Sequence, residues 1–264
     1  MRHGEILRGS LGVMRGSFGA VLLFTLWASA ASGQQQPDFD RTVSLKLLPS
    51  NLLSDQKNIW LSPRRLAHPK NWIAPAAVVG ATALLVAEAD APTASYFRRT
   101  SSFDGFKQVF TGKATALGMV AVPSSLLVVG LGRRDSKMWK TALLAGEAVA
   151  DSEVLTILMK DADRRLFPAS VPPQQGFSDT WFKTHGDWLR GSGSFPSGHG
   201  IAAVSIATVV ARRYRNHRWV PYVAYGGAAL VAFSRLPLGA HYVSDTFMGA
   251  ALGYSISRFA VLGQ

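Results

Sequence analysis

Two stretches forty residues apart bring together side chains that could hold a phosphate and attack it. The first is Ser194-Phe195-Pro196-Ser197-Gly198-His199. The second starts at Ser234-Arg235, reaches His241 and then Asp245. A neutral imidazole nitrogen is a good nucleophile toward phosphorus once its tautomer is fixed. Asp245, one helical turn after His241, can accept the other ring N–H, the way a carboxylate orients a base. An aspartate at that place also serves as an ordinary helix N-terminal charge. Ser197 is a candidate N-cap for a helix opening near His199. Gly198 lets the backbone approach an anion closely, and the first turn of such a helix points free N–H groups at it. His199 is then placed to give a proton to a departing oxygen. One imidazole must be neutral and the other protonated, so their neighbours must separate their pKa values. Arg235 can clamp two phosphoryl oxygens. Lys160, with Arg164 and Arg165 just beyond, adds cations, although a basic rim snorkelling to an interface reads the same way. His185 and Asp187 read as loop polar residues; Lys183 and Arg190 could touch a head group.

The elements that must position these groups are apolar helices. The expected all-α architecture is six helices around one centre: Trp72–Ala89, Ala114–Gly132, Trp139–Lys160, His199–Ala211, Trp219–Ser234 and Asp245–Leu262. No alternating pattern is long enough to argue for a sheet. The uncharged 114–132 run satisfies the length rule for a spanning helix, and Gly249 to Gly253 allow close helix packing. Residues 1–33 have a basic start, a short apolar run and small-residue cleavage sites, the pattern of a signal segment. Residues 34–71 read as short amphipathic or irregular pieces with no visible chemistry, and 72–264 as the catalytic domain. Arg133, Arg134, Lys137 and Lys140 form one basic loop, and Arg212, Arg213, Arg215 and Arg218 another. By the positive-inside rule both are cytoplasmic, which puts the 160–198 loop and the 235–245 segment on the periplasmic side of a membrane-embedded bundle. A soluble periplasmic bundle with buried apolar helices is the alternative. A cleaved leader would leave an odd number of crossings to be found before the first basic loop, where two helices are counted.

The composition narrows the partners. The chain has 264 residues, no cysteine and a formal net charge of +12. The absence of cysteine excludes disulfides and thiolate metal sites. The basic residues sit in short clusters between apolar segments, a pattern that favours a membrane surface over nucleic acid. No acidic or histidine cluster has metal-ligand spacing, so no cofactor is expected.

These motifs resemble the type 2 phosphatidic acid phosphatase (PAP2) superfamily, which also contains bacterial non-specific acid phosphatases and vanadium haloperoxidases. The family pattern is Lys-x6-Arg-Pro, Pro-Ser-Gly-His and Ser-Arg-x5-His-x3-Asp. The second is Pro196–His199 and the third is Ser234, Arg235, His241 and Asp245. The first departs: Lys160 and Pro168 are at the family spacing, but Phe167 stands where the family has arginine. Many members carry an earlier arginine too, and Arg165 aligns with it, so Arg165 is expected to supply the missing clamp with Arg164 in reserve. The resemblance implies that His241 is a phosphohistidine nucleophile oriented by Asp245. It makes His199 the general acid and then the base for water. Phosphate would be held by Lys160, Arg165, Ser197, Gly198 and Arg235.

The leading expectation is a membrane-associated phosphatase acting on a phospholipid or an isoprenoid (pyro)phosphate at the periplasmic face. Phosphatidic acid, phosphatidylglycerophosphate, undecaprenyl pyrophosphate and a lipid A phosphate are the candidates. A soluble, broad-specificity acid phosphatase comes second. Vanadate is a possible inhibitor, or a cofactor if the chain is a haloperoxidase. A degenerate lipid-binding accessory rests on Phe167 alone.

Overall fold

The apolar runs fold as helices, and a computed structural model describes them over residues 41–62 and 69–263. In chain order they are α1 (Leu48–Leu61), α2 (Ile73–Glu88), α3 (Asp90–Arg99), α4 (Asp104–Val109) and α5 (Gly112–Gly132). After these come α6 (Ser136–Asp163), α7 (Gly198–Arg213), α8 (Val220–Ser234) and α9 (Val243–Ser255), which runs into a π-helical turn, Ile256–Val261. No strand occurs among the described residues. The expected leader, 1–33, lies outside them.

Polar residues set where several helices begin. Thr111 accepts from Ala114 N to open α5, Asp135 accepts from Lys137 N and Met138 N to open α6, and Ser197 accepts from Gly200 N to open α7. The six expected helices are α2 and α5 to α9. Helix α7 is the axis of the bundle, with 11 of its 16 residues buried. One of its faces packs Ile206 and Val209 against Leu143, Leu144 and Val261; another packs Ala203, Val204 and Ala207 against Ala228, Ala250 and Tyr254. The expected close packing of α9 holds: a Cβ on Gly249 would lie 2.7 Å from the Ser197 carbonyl oxygen, and one on Gly253 would collide with that of Ile201.

Three helices go beyond the expectation. Among its described residues the 34–71 segment has a 14-residue helix, α1, with a proline in its first turn, where the missing N–H is harmless. It covers buried carboxylates inside α6: Asn51 donates to Glu147 (2.8 Å), Gln56 to Asp151 (2.9 Å), and Arg41 pairs with Asp55 at 2.7 Å. That explains two of the three acids in the middle of α6; Glu153, the third, is exposed. The first core helix ends at Glu88 as expected, but after a 50° bend the chain enters a further helix, α3, with no loop between. Helix α4 is a short turn before α5.

Helices α5 and α8 keep apolar side chains on the outside. Only Thr115 and Gly130 of the 21 residues of α5 are buried, and Leu117, Val120, Val128 and Leu131 are exposed. Helix α5 is long and apolar enough to cross a membrane, the bent α2–α3 pair passes as a pair, and α8 is apolar but shorter. The two basic loops meet at one end of the bundle: Lys137 Nζ sits 5.1 Å from the Tyr214 ring, and Arg213 donates to Thr141. Arg41 donates to the Val261 carbonyl oxygen. Both motifs lie at the other end, where α5, α7 and α9 begin and α6 and α8 finish.

Candidate active site

The two motifs join through their backbones. Ser197 N donates to the Asp245 carbonyl oxygen at 2.9 Å, and His241 N to that of Arg235. Ser194, Ser197, Ser234 and Asp245 are fully buried, so the frame around the histidines is rigid.

His241 lies in the loop between α8 and α9 and is 6% exposed. Its Nδ1 is 2.7 Å from the Ser194 carbonyl oxygen and 3.5 Å from Asp245 Oδ2. A carbonyl only accepts, so Nδ1 carries the proton and Nε2 keeps its lone pair. The nearer orienting partner is thus the Ser194 backbone, with the carboxylate second. Burial pushes the His241 imidazole below its ordinary value, and the Asp245 charge only partly opposes this. For Asp245, burial works to raise the carboxyl, but His241 and Arg165 outweigh it and hold it below the usual value. Its Oδ2 also accepts from Tyr242 N at 2.9 Å.

His199, in the first turn of α7, is half-buried, with Nε2 3.4 Å from the Gly112 carbonyl oxygen. Burial first, then the positive charge of Arg235, lowers its pKa. Both imidazoles are therefore shifted downward in the free site, each by its own neighbours. Arg235 is 1% exposed and ties the start of α5 to the site, donating from Nη2 to Phe110 O (2.8 Å), Thr115 Oγ1 (2.7 Å) and Ser234 Oγ (2.7 Å). Its Nη1 faces Gly112 and makes no hydrogen bond among the described residues. Lys160 Nζ donates to the Gly193 carbonyl oxygen at 2.8 Å.

The Lys160–Pro168 segment differs from its expected arrangement. Phe167 sets its ring edge-on to His241, centroids 5.9 Å apart, and lies 5.5 Å from Lys160 Nζ. Arg165, expected to clamp phosphate, turns its guanidinium to two carboxylates instead of the open side of the site. It is 1% exposed, with Nη1 2.6 Å from Asp245 Oδ1 and Nη2 2.6 Å from Asp90 Oδ2. Nη1 also reaches Ser244 Oγ and Nε reaches Thr180 Oγ1. Arg164, in the left-handed region, turns toward the Trp188 ring and donates to Asp161 O. The Asp161 carboxylate pins the 189–192 loop by accepting from the backbone N–H groups of Leu189, Gly191 and Ser192. Lys183 and Arg190 pair with Asp179 and Asp187 in exposed positions. Among the described residues no three His, Cys, Asp or Glu side chains converge to hold a metal ion.

Sequence reasoning missed Asp90, Ser244, Thr180 and the Ser194 carbonyl. Asp90 was legible only as the end of an apolar run; a carboxylate at that depth in an apolar chain is itself a signal for a buried partner.

A family model described as "PAP2 superfamily" matches residues 141–264. A lipid A 4'-phosphatase from Porphyromonas gingivalis is 30% identical over 79 residues, 30% of this chain and 33% of that protein, so the match spans about a third of that relative. A lipid A 1-phosphatase from Rhizobium etli is 27% identical over 188 residues, 66% of this chain and 77% of that protein. A solved structure, the transmembrane PAP2 type phosphatidylglycerolphosphate phosphatase from Bacillus subtilis, aligns over 72% of this chain and 94% of that one, at 22% identity and a TM-score of 0.48.

Proposed function

From the match of residues 141–264 to the PAP2 superfamily model, we propose that this chain is a metal-independent phosphatase that removes phosphate from a lipid phosphate or pyrophosphate through a phosphohistidine on His241. The observation that carries the reading is the 2.7 Å contact from His241 Nδ1 to the Ser194 carbonyl oxygen, with Asp245 behind it. It leaves the Nε2 lone pair free.

In the first step Nε2 attacks phosphorus and the bond from phosphorus to the leaving oxygen breaks. His199 gives that oxygen its proton. The imidazole of His241 becomes cationic, and Asp245 and the Ser194 carbonyl stabilise it. In the second step His199 takes a proton from water, the water oxygen attacks phosphorus, and the P–N bond breaks to regenerate His241. Lys160, Arg235 Nη1 and the first turn of α7 at Ser197 and Gly198 hold the phosphoryl oxygens. Burial and Arg235 lower the His199 pKa; a bound phosphate dianion offsets those cations and returns the proton to His199.

Three features support a lipid as the substrate. Apolar side chains of α5 and α8 face outward beside the site. Helix α5 has the length and composition to cross a bilayer. Two curated relatives carry lipid A phosphatase names. The basic loops at the opposite end of the bundle support a periplasmic site by the positive-inside rule.

The test is phosphate release by detergent-solubilised protein from phosphatidic acid, phosphatidylglycerophosphate, undecaprenyl pyrophosphate, lipid A and p-nitrophenyl phosphate. The wild type is expected to release phosphate from at least one lipid faster than from p-nitrophenyl phosphate, and His241→Ala from none. Equal rates on p-nitrophenyl phosphate and every lipid would favour the soluble-ester reading.

A further inference from the structure

We propose that Arg165 and Asp90 are positioning residues for His241, acting through Asp245, rather than groups that bind the phosphoryl group; this rests on the phosphatase reading above. Arg165 donates to carboxylates from two distant parts of the chain. Asp90 sits at the bend between α2 and α3, and Asp245 in the first turn of α9. Asp90 is 2% exposed and is held by three donors: Arg165 Nη2, Ser244 N and Ser244 Oγ. Such a set opposes the burial that disfavours the charged form of this carboxylate. The rings of Tyr242 and Trp181 cover the guanidinium at 3.9 and 4.4 Å, which closes it off from the open side.

The charges in this cluster do not cancel in the resting site. Asp90 and Asp245 are negative, Arg165 is positive and His241 is neutral, so a net charge of minus one is buried. Lys160 offsets part of it from the open side, and His241 adds a positive charge in direct reach of Asp245 as phosphorus bonds to Nε2. A fixed, desolvated charge aimed at a charge that develops in the reaction lowers the barrier without binding substrate more tightly. The same cluster locks the start of α3, α9 and the Lys160–Pro168 segment together. Removing Arg165 alone would leave two uncompensated buried carboxylates.

The test separates positioning from folding and from phosphate binding. Asp90→Asn keeps the shape and removes the second negative charge. It is expected to lower kcat on the order of 10- to 100-fold with KM and the inhibition constant of inorganic phosphate unchanged. Arg165→Gln is expected to lower both stability and kcat. The double variant Asp90→Asn/Arg165→Gln, which no longer buries an orphan carboxylate at position 90, is expected to regain thermal stability but not kcat. Recovery of kcat together with stability would reduce the pair to a structural role and overturn the inference. So would an Arg165→Gln variant whose affinity for inorganic phosphate falls in step with its kcat/KM, since that marks a phosphate clamp. The phosphatase reading fails separately: a fully active His241→Ala sinks it, whereas an inactive His241→Ala beside an Asp90→Asn of wild-type turnover sinks only this inference.

Discussion

The histidine side of the site and the Lys160–Pro168 segment border the same space but are held by different means. On the histidine side the backbone does the positioning. Ser197 N bonds to Asp245 O, Ser194 O orients His241, and Gly249 brings α9 against the Ser197 carbonyl. On the lysine side, long side chains choose among competing partners. Arg165 is taken by Asp90 and Asp245, Arg164 by Trp188, and Phe167 fills the place of an arginine beside His241. The lesson is that a motif fixes geometry where its backbone is the scaffold. Where it only supplies a flexible cation, a carboxylate 75 residues earlier decides what that cation does.

The histidine side can be broken most deeply. His241→Ala is expected to lose roughly 10⁴-fold or more in kcat, because both steps pass through its nitrogen. Asp245→Asn should lose less, on the order of 100-fold, because the Ser194 carbonyl still holds the Nδ1 proton when the carboxylate is gone. A steady-state kcat against KM comparison checks both, and a loss from Asp245→Asn equal to that from His241→Ala would show that the backbone contact does not hold the tautomer. Gly249→Ala puts a methyl 2.7 Å from the Ser197 oxygen. It should cost about 1–3 kcal/mol of stability and lower activity by displacing the α7 N-cap, read as a fall in both Tm and kcat.

The smallest effect lies on the lysine side. Burial pushes the Asp163 carboxyl from 3.8 up to about 7. Its Oδ1 accepts from Arg165 N at 3.0 Å and its Oδ2 is buried without a partner. A raised folded-state pKa means that stability is fully present below the ordinary value and is lost as the pH climbs toward 7. Asp163→Asn removes the titrating charge and keeps the acceptor oxygen. Its Tm should exceed that of the wild type at pH 8 and by less at pH 5; a constant difference would rule out this titration as the cause.

Much of the fold was legible. The six core helices follow from long apolar runs punctuated by charge clusters, and their observed ends lie within a few residues of the expected ones. Helix α1 was not legible as a single element, because its apolar residues lack a continuous stripe and its purpose is to cover Glu147 and Asp151 nearly a hundred residues away. Asp90 looked like a helix terminator because an unpaired carboxylate ends an apolar helix. With Arg165 and Ser244 satisfying it, the chain bends and continues instead. In the site, spacing alone brought His199, Ser197, Arg235, His241 and Asp245 to one end of the bundle. The direction of the Arg165 side chain depended on Asp90, which no local pattern connects to it.

The central claim is a covalent phosphoryl group on His241, and trapping it is the most direct measurement. Protein incubated briefly with phosphatidic acid or lipid A carrying a radioactive phosphate is denatured in alkali, which preserves phosphohistidine, and the protein-bound label is counted. The account predicts label on the wild type that is released by acid and absent from His241→Ala. Label on His241→Ala equal to that on the wild type would contradict it.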